Sequence, residues 1–259
     1  MGSYHTRTVE EFKARNGYVI DEHWFPRVTA ICDIKSKPAL YRFYGNVANF
    51  AEGSRIKERS ASEGTMVHSA IEAVLKGDAG AVPLGVVPAV EAFYRFQKDH
   101  EFVTHPAMIE RRLLHPDERY AGTIDILAKV DGRVGVLDIK TSLSIWRDYN
   151  LQTSAYLYAI RCGGLIDVPV RQLPETRWIL RLDQWRRCEH CGAKMRSKGG
   201  YDTIRGADAD CSHQWGPVIG EYEFKELGDA EGDFRAFIAA KILWEWENER
   251  LLQKIGYLQ

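Results

Sequence analysis

Cysteine is scarce in this chain, with five residues among 259, an odd number. With two of them as Cys-x-x-Cys, that favours metal binding and a reducing compartment, the cytoplasm, over a disulfide framework. Long apolar runs are missing too. Nothing approaches the roughly 18 consecutive apolar residues of a membrane span, so no membrane partner is expected. The opening MGSYHTRTVEEF has no apolar core of a secretory signal. Neither sign of charge is in excess: Lys and Arg number 35, Asp and Glu 36, and the net charge is -1. That excludes a globally basic nucleic-acid binder but not a local basic cleft. There is no internal repeat and no low-complexity tract. What remains is ordinary globular material, 45% hydrophobic and 27% charged. Its length suits one large domain, or one domain with an insertion.

Periodicity gives the elements. A short helix is expected at 8–15, one long helix or two at 37–63, and a separate amphipathic helix at 64–77 stopped by Gly77. A helix at 88–99 precedes strands at 102–114, 119–130 and 133–140. A helix at 147–161, a strand pair at 175–183 and 217–227, and a helix at 229–254 follow. Helices, three strands, a helix, a strand pair and a helix make a mixed α/β (α+β) domain, not a repeating barrel.

The stretch GTIDILAKVDGRVGVLDIKTS, residues 122–142, carries the chemistry. Asp131-Gly132 is a two-residue hairpin turn signal. With that turn, Val130 faces Arg133, and counting back in step puts Asp125 opposite Asp138. Lys140 lies two residues on and shares their face. Opposed like charges destabilise a sheet unless a cation neutralises them, so Asp138→Asn is expected to stabilise the metal-free protein slightly. Mg²⁺ and Mn²⁺ favour such oxygen ligands. The bland alternative is a solvated face with a surface ion pair, and a register slip of one residue would dissolve the constellation. Asp33-Ile34-Lys35 repeats the triplet without an acidic partner strand and reads as a loop or helix entry.

Glu110, in the strand MIERRLL, is a third carboxylate beside the hairpin, although glutamate is usually exposed. His68 and Glu72 share a helix face with Thr65, and Gln152 and Tyr156 share another with Tyr149. A lone histidine or an aromatic stripe is more often structural.

In order, these segments are Gly64-Thr65-Met66-Val67-His68, Glu110, Gly122-Thr123-Ile124-Asp125, Asp138-Ile139-Lys140 and Gln152-Thr153-Ser154-Ala155-Tyr156. Together they resemble the PD-(D/E)XK nuclease superfamily, in its RecB-like, phage-type exonuclease branch. The early VTAICDIKSKPALYRF is similar to the opening of phage-encoded members. The likeness spans about residues 27–160 and lacks the proline of the family name, since Ile124 precedes Asp125. It implies a restriction-endonuclease-like core with a central mixed sheet flanked by helices. It also implies hydrolysis of DNA from its ends with Mg²⁺ or Mn²⁺, in recombination, repair or phage DNA metabolism, within a bacterial or phage-infected cell. The implied metal ligands are His68, Glu110, Asp125, Asp138 and the Ile139 carbonyl. Lys140 would position the attacking water, while Gln152 and Tyr156 would steady the site and the strand. Arg111, Arg112, Arg55, Lys57 and Arg59 are candidate phosphate contacts, although each is ordinarily a solvated surface charge. A recombinase or single-strand-annealing protein is the expected partner class. The oligomeric state is left open, as is a structure-selective or flap endonuclease, or an inactive DNA-binding subunit, on the same scaffold.

One segment falls outside that pattern. CEHCGAKMRSKGGYDTIRGADADCSH, residues 188–213, interrupts the later strand pair. Cys188-x-x-Cys191 followed by Gly192 is a zinc-knuckle pattern, and Cys211 with His213 supplies a second pair, with His190 competing as the fourth ligand. A structural Zn²⁺ would fold a loop that has almost no apolar core. The expected partition is 1–184 nuclease core, 185–216 zinc-binding insertion and 217–259 closing strand and helix. Some relatives of this branch carry an iron–sulfur cluster on one early and three late cysteines, which Cys32 with Cys188, Cys191 and Cys211 would imitate. Cys162 is expected to be a small buried hydrophobe.

Overall fold

The structure, a computed structural model, describes residues 8–258 apart from 79 and 81. Helix α1 (Val9–Asn16) starts on a reciprocal cap, with Thr8 and Glu11 each accepting from the other's backbone N–H. A two-strand ribbon, β1 (Gly17–Ile20) and β2 (His23–Pro26), leads to the short α2 (Val28–Cys32). Then come α3 (Pro38–Asn46) and the long α4 (Phe50–Lys76). Asn49 caps α4 through the Glu52 N–H, and Gly77, at φ +75°, closes it. Gly64 therefore sits inside one 27-residue helix and does not open a new one. Its lack of a side chain serves packing, because a Cβ there would stand 3.0 Å from the Thr141 hydroxyl.

After α5 (Val87–Asp99) come β3 (Phe102–His115), β4 (Tyr120–Val130), β5 (Arg133–Lys140) and α6 (Asp148–Gly163). The chain closes with β6 (Thr176–Cys188), β7 (Lys194–Lys198), β8 (Tyr201–Arg205), β9 (Trp215–Glu226) and α7 (Ala230–Lys254). The sheet runs β3-β4-β5-β6-β7-β8, with β9 also on β6. Among these strands β5 and β6 alone pair in parallel, joined by the α6 crossover, so the sheet is mixed and flanked by helices. The segment between β6 and β9 does not stand apart, because β7 pairs with β6 and β8 with β7.

Alternation along β5 sorts the core. Val134 and Val136 pack with α6, α7 and the N-terminal aromatics Phe12 and Trp24. Leu137 and Ile139 pack on the other face with Ile71 of α4 and Phe93 and Phe96 of α5. A buried ion pair joins β6 to α7: the Arg177 guanidinium meets Asp233 and also donates to the carbonyls of Asn150 and Gly228. Among the described residues, no helix is long and apolar enough to cross a membrane.

Candidate active site and a cysteine–histidine cluster

The β4–β5 turn holds the expected register. Asp131 and Gly132 both take positive φ, and pairing runs from Val130↔Arg133 to Ile126↔Leu137. At the next step the ladder stops. The Asp125 carboxylate instead accepts the Ile139 N–H at 2.6 Å, so the two strands part at the position where Asp125 and Asp138 face each other. On its other side Asp125 faces Glu110, because Ile109↔Ile126 and Arg111↔Ile124 bracket the pair. β3 reaches that register only after a shift between Thr104 and Ile109, and Glu110 itself sits at φ +51°. A non-glycine residue there costs about 1–2 kcal/mol, strain of the kind found where side chains are aimed for function.

Helix α4 brings His68 to the same place, its Nδ1 3.5 Å from Asp125 Oδ2. His68, Glu110 and Asp125 each offer a ligand atom, all within 4.8 Å of one another. An octahedral Mg²⁺ with bonds of about 2.1 Å sets opposite ligands about 4.2 Å apart, so small side-chain movements close the difference. Asp138, 1% exposed, lies one strand over. Its Oδ1 accepts from Gln152 Nε2 at 3.2 Å. Its Oδ2 meets the Lys140 ammonium, at 2.5 Å, and has no hydrogen bond of good geometry. A buried carboxylate oxygen with spare accepting capacity fits a cation.

Electrostatics separate the groups. Burial lifts Asp138 to about 6 against the pull of Lys140, and Asp125 adds to the lift. Asp125 ends below the usual carboxylate range: burial pushes it up, but His68, Lys140 and the Ile139 N–H outweigh it. Glu110 rises to about 7, through burial and then Asp125. Burial would lower His68 and Lys140, yet the carboxylates hold both above their ordinary values. Lys140 is thus an ammonium, suited to donating hydrogen bonds and balancing charge, not to taking a proton.

Several expected site residues prove to have structural partners. Tyr156 is 3% exposed, its ring packed against Gly122, and its hydroxyl accepts from Gln152 at 3.0 Å. With no ring face free for a base, it braces Gln152, which in turn steadies Asp138. Arg111 Nε donates to the Ala107 carbonyl at 2.8 Å, and the Arg112 guanidinium lies 5.3 Å over the Tyr18 ring. Lys35 of the early triplet pairs with Asp148 at 2.6 Å and Asp33 with Lys37 at 2.5 Å, which is the plain loop role. Arg55, Lys57 and Arg59 are exposed on α4.

The cysteine segment gathers Cys188, Cys191, Cys211 and His213, whose ligand atoms also lie within 4.8 Å of one another. Cys188 and Cys211 sulfurs are 3.8 Å apart, and Cys191 sulfur is 3.5 Å from His213 Nδ1. A tetrahedron with about 2.3 Å metal–sulfur and about 2.05 Å metal–nitrogen bonds has edges of about 3.8 and 3.6 Å, so the cluster has the size of a metal site. Gly192, at φ +76°, lets the knuckle turn back, and its N–H donates to the Cys188 carbonyl at 3.0 Å. Burial raises the Cys188 thiol, but the N–H groups of Cys191 and His190 and the His213 ring outweigh it and bring it to about 5. His190 is turned away, its Nδ1 on the Ser212 carbonyl at 3.1 Å. Cys32 is not part of the cluster, because it is buried in the core with Phe12 and Val28. The iron–sulfur alternative therefore loses its fourth thiolate. Cys162 is exposed, not buried: it lies in the last turn of α6, past Ala159 and Ile160, which face the sheet.

No protein-family model matches the chain, and no curated protein does.

Proposed function

We propose that the chain is a Mg²⁺- or Mn²⁺-dependent deoxyribonuclease of the PD-(D/E)XK kind, acting from DNA ends, with a structural Zn²⁺ in its cysteine segment. One observation carries this reading. Where β4 and β5 part, His68, Glu110 and Asp125 bring ligand atoms within 4.8 Å of one another, next to the buried Asp138–Lys140 pair. A surface ion pair would not need a buried carboxylate, a bulge and a strained backbone to assemble it.

His68, Glu110, Asp125, Asp138 and the Ile139 carbonyl would hold the cation. When bound, it would polarise a phosphodiester and make water a better nucleophile at neutral pH. Asp125 is held by the Ile139 N–H, and Asp138 by Gln152, so each carboxylate would need only a small adjustment. The Lys140 ammonium, 2.5 Å from Asp138 and 4.9 Å over the Tyr149 ring, would orient water and offset charge that develops on phosphate. Exposed Arg55, Lys57 and Arg59 offer phosphate contacts along α4.

The test compares end-labelled linear DNA with covalently closed circles, in Mg²⁺ and then Mn²⁺. Linear DNA is expected to be degraded to short products while the circle survives. Nicking of the circle at a comparable rate would move the assignment to an endonuclease, and no cleavage in either metal would leave a DNA-binding subunit.

Zinc makes a separate expectation. Metal analysis should find about one Zn²⁺ per chain, the stoichiometry of one closed four-ligand site. Cys191→Ser should make residues 189–214 sensitive to protease. A coloured, iron-containing protein would contradict it.

A further inference from the structure

The cysteine segment does more than hold its own cluster. β5 and β7 lie on the same edge of β6, end to end. Pairing reaches Lys140↔Arg181 from one side and Arg186↔Met195 from the other. Followed in register, β7 runs back toward the place where β5 stops, and its last residue is Lys198. There Lys198 donates to the Thr141 carbonyl and, at 2.5 Å, to the Thr141 hydroxyl. Arg196 Nη2 donates to the same carbonyl at 2.8 Å, and its Nε is anchored on Asp183 at 2.6 Å. Two cations converge on the backbone of the residue after Lys140.

The hairpin tip is fastened as well. Gly199 and Gly200, both at positive φ, make the two-residue turn between β7 and β8. The Gly199 N–H meets both oxygens of Glu63 at 3.0 Å. Any Cβ on Gly199 would fall 2.3 Å from the Ile56 carbonyl, so the turn lies flat on α4. α4 also carries His68 and, at Gly64, touches Thr141. Thr141 is thus the junction of β5, β7 and α4.

Lys198 is half-buried, with Asp183 and Glu63 beside it, yet its hydrogen bonds go to Thr141 and not to either carboxylate. Burial, then Arg196, presses the Lys198 amine down to about 8. Asp183 and Glu63 pull the other way.

We propose that Lys198 and Arg196 are positioning residues for cleavage: they fix Thr141, and through it the direction of Lys140 and Asp138. The proposal rests on the nuclease reading. Neither residue has to touch DNA, and their effect is on turnover, because a misplacement of about 1 Å at a reacting group costs up to ~10²-fold.

The experiment measures kcat and KM on end-labelled linear DNA for wild type, Lys198→Ala, Lys198→Arg and Arg196→Lys. Thermal melting of each and amide hydrogen exchange over residues 140–144 complete it. Lys198→Ala should lose about 10- to 100-fold in kcat with KM within about twofold, the signature of an interaction that acts in the transition state and not in substrate binding. Exchange over 140–144 should quicken while the melt stays cooperative, and Lys198→Arg should regain part of the turnover. Arg196→Lys, which keeps the charge, guards against a folding defect in the alanine variant and should lose less. Wild-type turnover in Lys198→Ala, or a KM increase at unchanged kcat, would overturn the positioning role. A wild-type protein that cleaves nothing would instead remove the nuclease reading beneath it.

Discussion

Asp138→Asn is expected to lower metal-dependent cleavage by about 10³-fold or more, the upper scale for removing one group that stabilises transition-state charge. Asparagine keeps the shape and still meets Gln152, but it takes away the buried carboxylate oxygen that faces the Lys140 ammonium. Stability should move as well, in the direction opposite to the simple repulsion argument. Opposed carboxylates alone predict a small gain when one is neutralised. In the folded protein, however, Asp138 is the partner of Lys140 at 2.5 Å, and Lys140 is largely buried. Removing one member of a buried pair strands the other. With Asp125 still near, the metal-free variant should lose about 1–3 kcal/mol in urea unfolding, the cost of an unpaired buried charge or donor. Near-wild-type turnover would remove Asp138 from the mechanism. A gain in stability would mean that Lys140 is not its partner in solution.

Lys140→Ala should act differently. Turnover should fall by about 10²–10³-fold, the scale of removing one charged group that stabilises the transition state. Mn²⁺ affinity measured by calorimetry should change little, since the ammonium is not a ligand. Loss of a nearby cation would by itself tighten metal binding. Lys140 spends its charge on Asp138, however, and freeing that carboxylate is offset by its tendency to hold a proton, its buried pKa already lying near 6 beside Lys140. Turnover restored by raising Mg²⁺ would show that the lysine serves metal affinity instead.

The hairpin is legible in the sequence because its turn chemistry is local. Asp131-Gly132 fixes the register, and the register alone sets Asp125 against Asp138. The helix face of His68 is readable for the same reason, from spacing along one helix. The shift in β3 is not, since nothing in MIERRLL marks Glu110 for positive φ, and only pairing with β4 imposes it. Tyr156 reads equally well as lining or as core. Its burial depends on Gly122 in another strand, where the missing side chain makes room for the ring. Two local signals are easily outweighed by stronger neighbours. Asn49 with Glu52 marks the true start of α4, and Gly199-Gly200 marks a hairpin inside the cysteine segment. That segment reads as a core-less loop because its strands are held by the sheet edge and by the gathering of Cys188, Cys191, Cys211 and His213, not by an apolar core of its own. The β1–β2 ribbon leaves no trace, because its turn uses Asp21 and Glu22 at positive φ, where glycine or asparagine is the usual mark.

The proposed activity depends on His68, Glu110 and Asp125, with Asp138 beside them, taking up a divalent cation. The direct measurement is a calorimetric Mn²⁺ titration of the wild type beside Asp125→Asn, both supplied beforehand with one equivalent of Zn²⁺. Asp125 is the group that meets His68, Glu110 and the Ile139 N–H, so its loss should weaken binding by about 10- to 100-fold, the range seen when support of a metal site is removed. Saturable Mn²⁺ binding in wild type, lost or weakened to that degree in Asp125→Asn, is the predicted result. A wild type that takes up no Mn²⁺, or an Asp125→Asn variant that binds it equally well, would contradict the account.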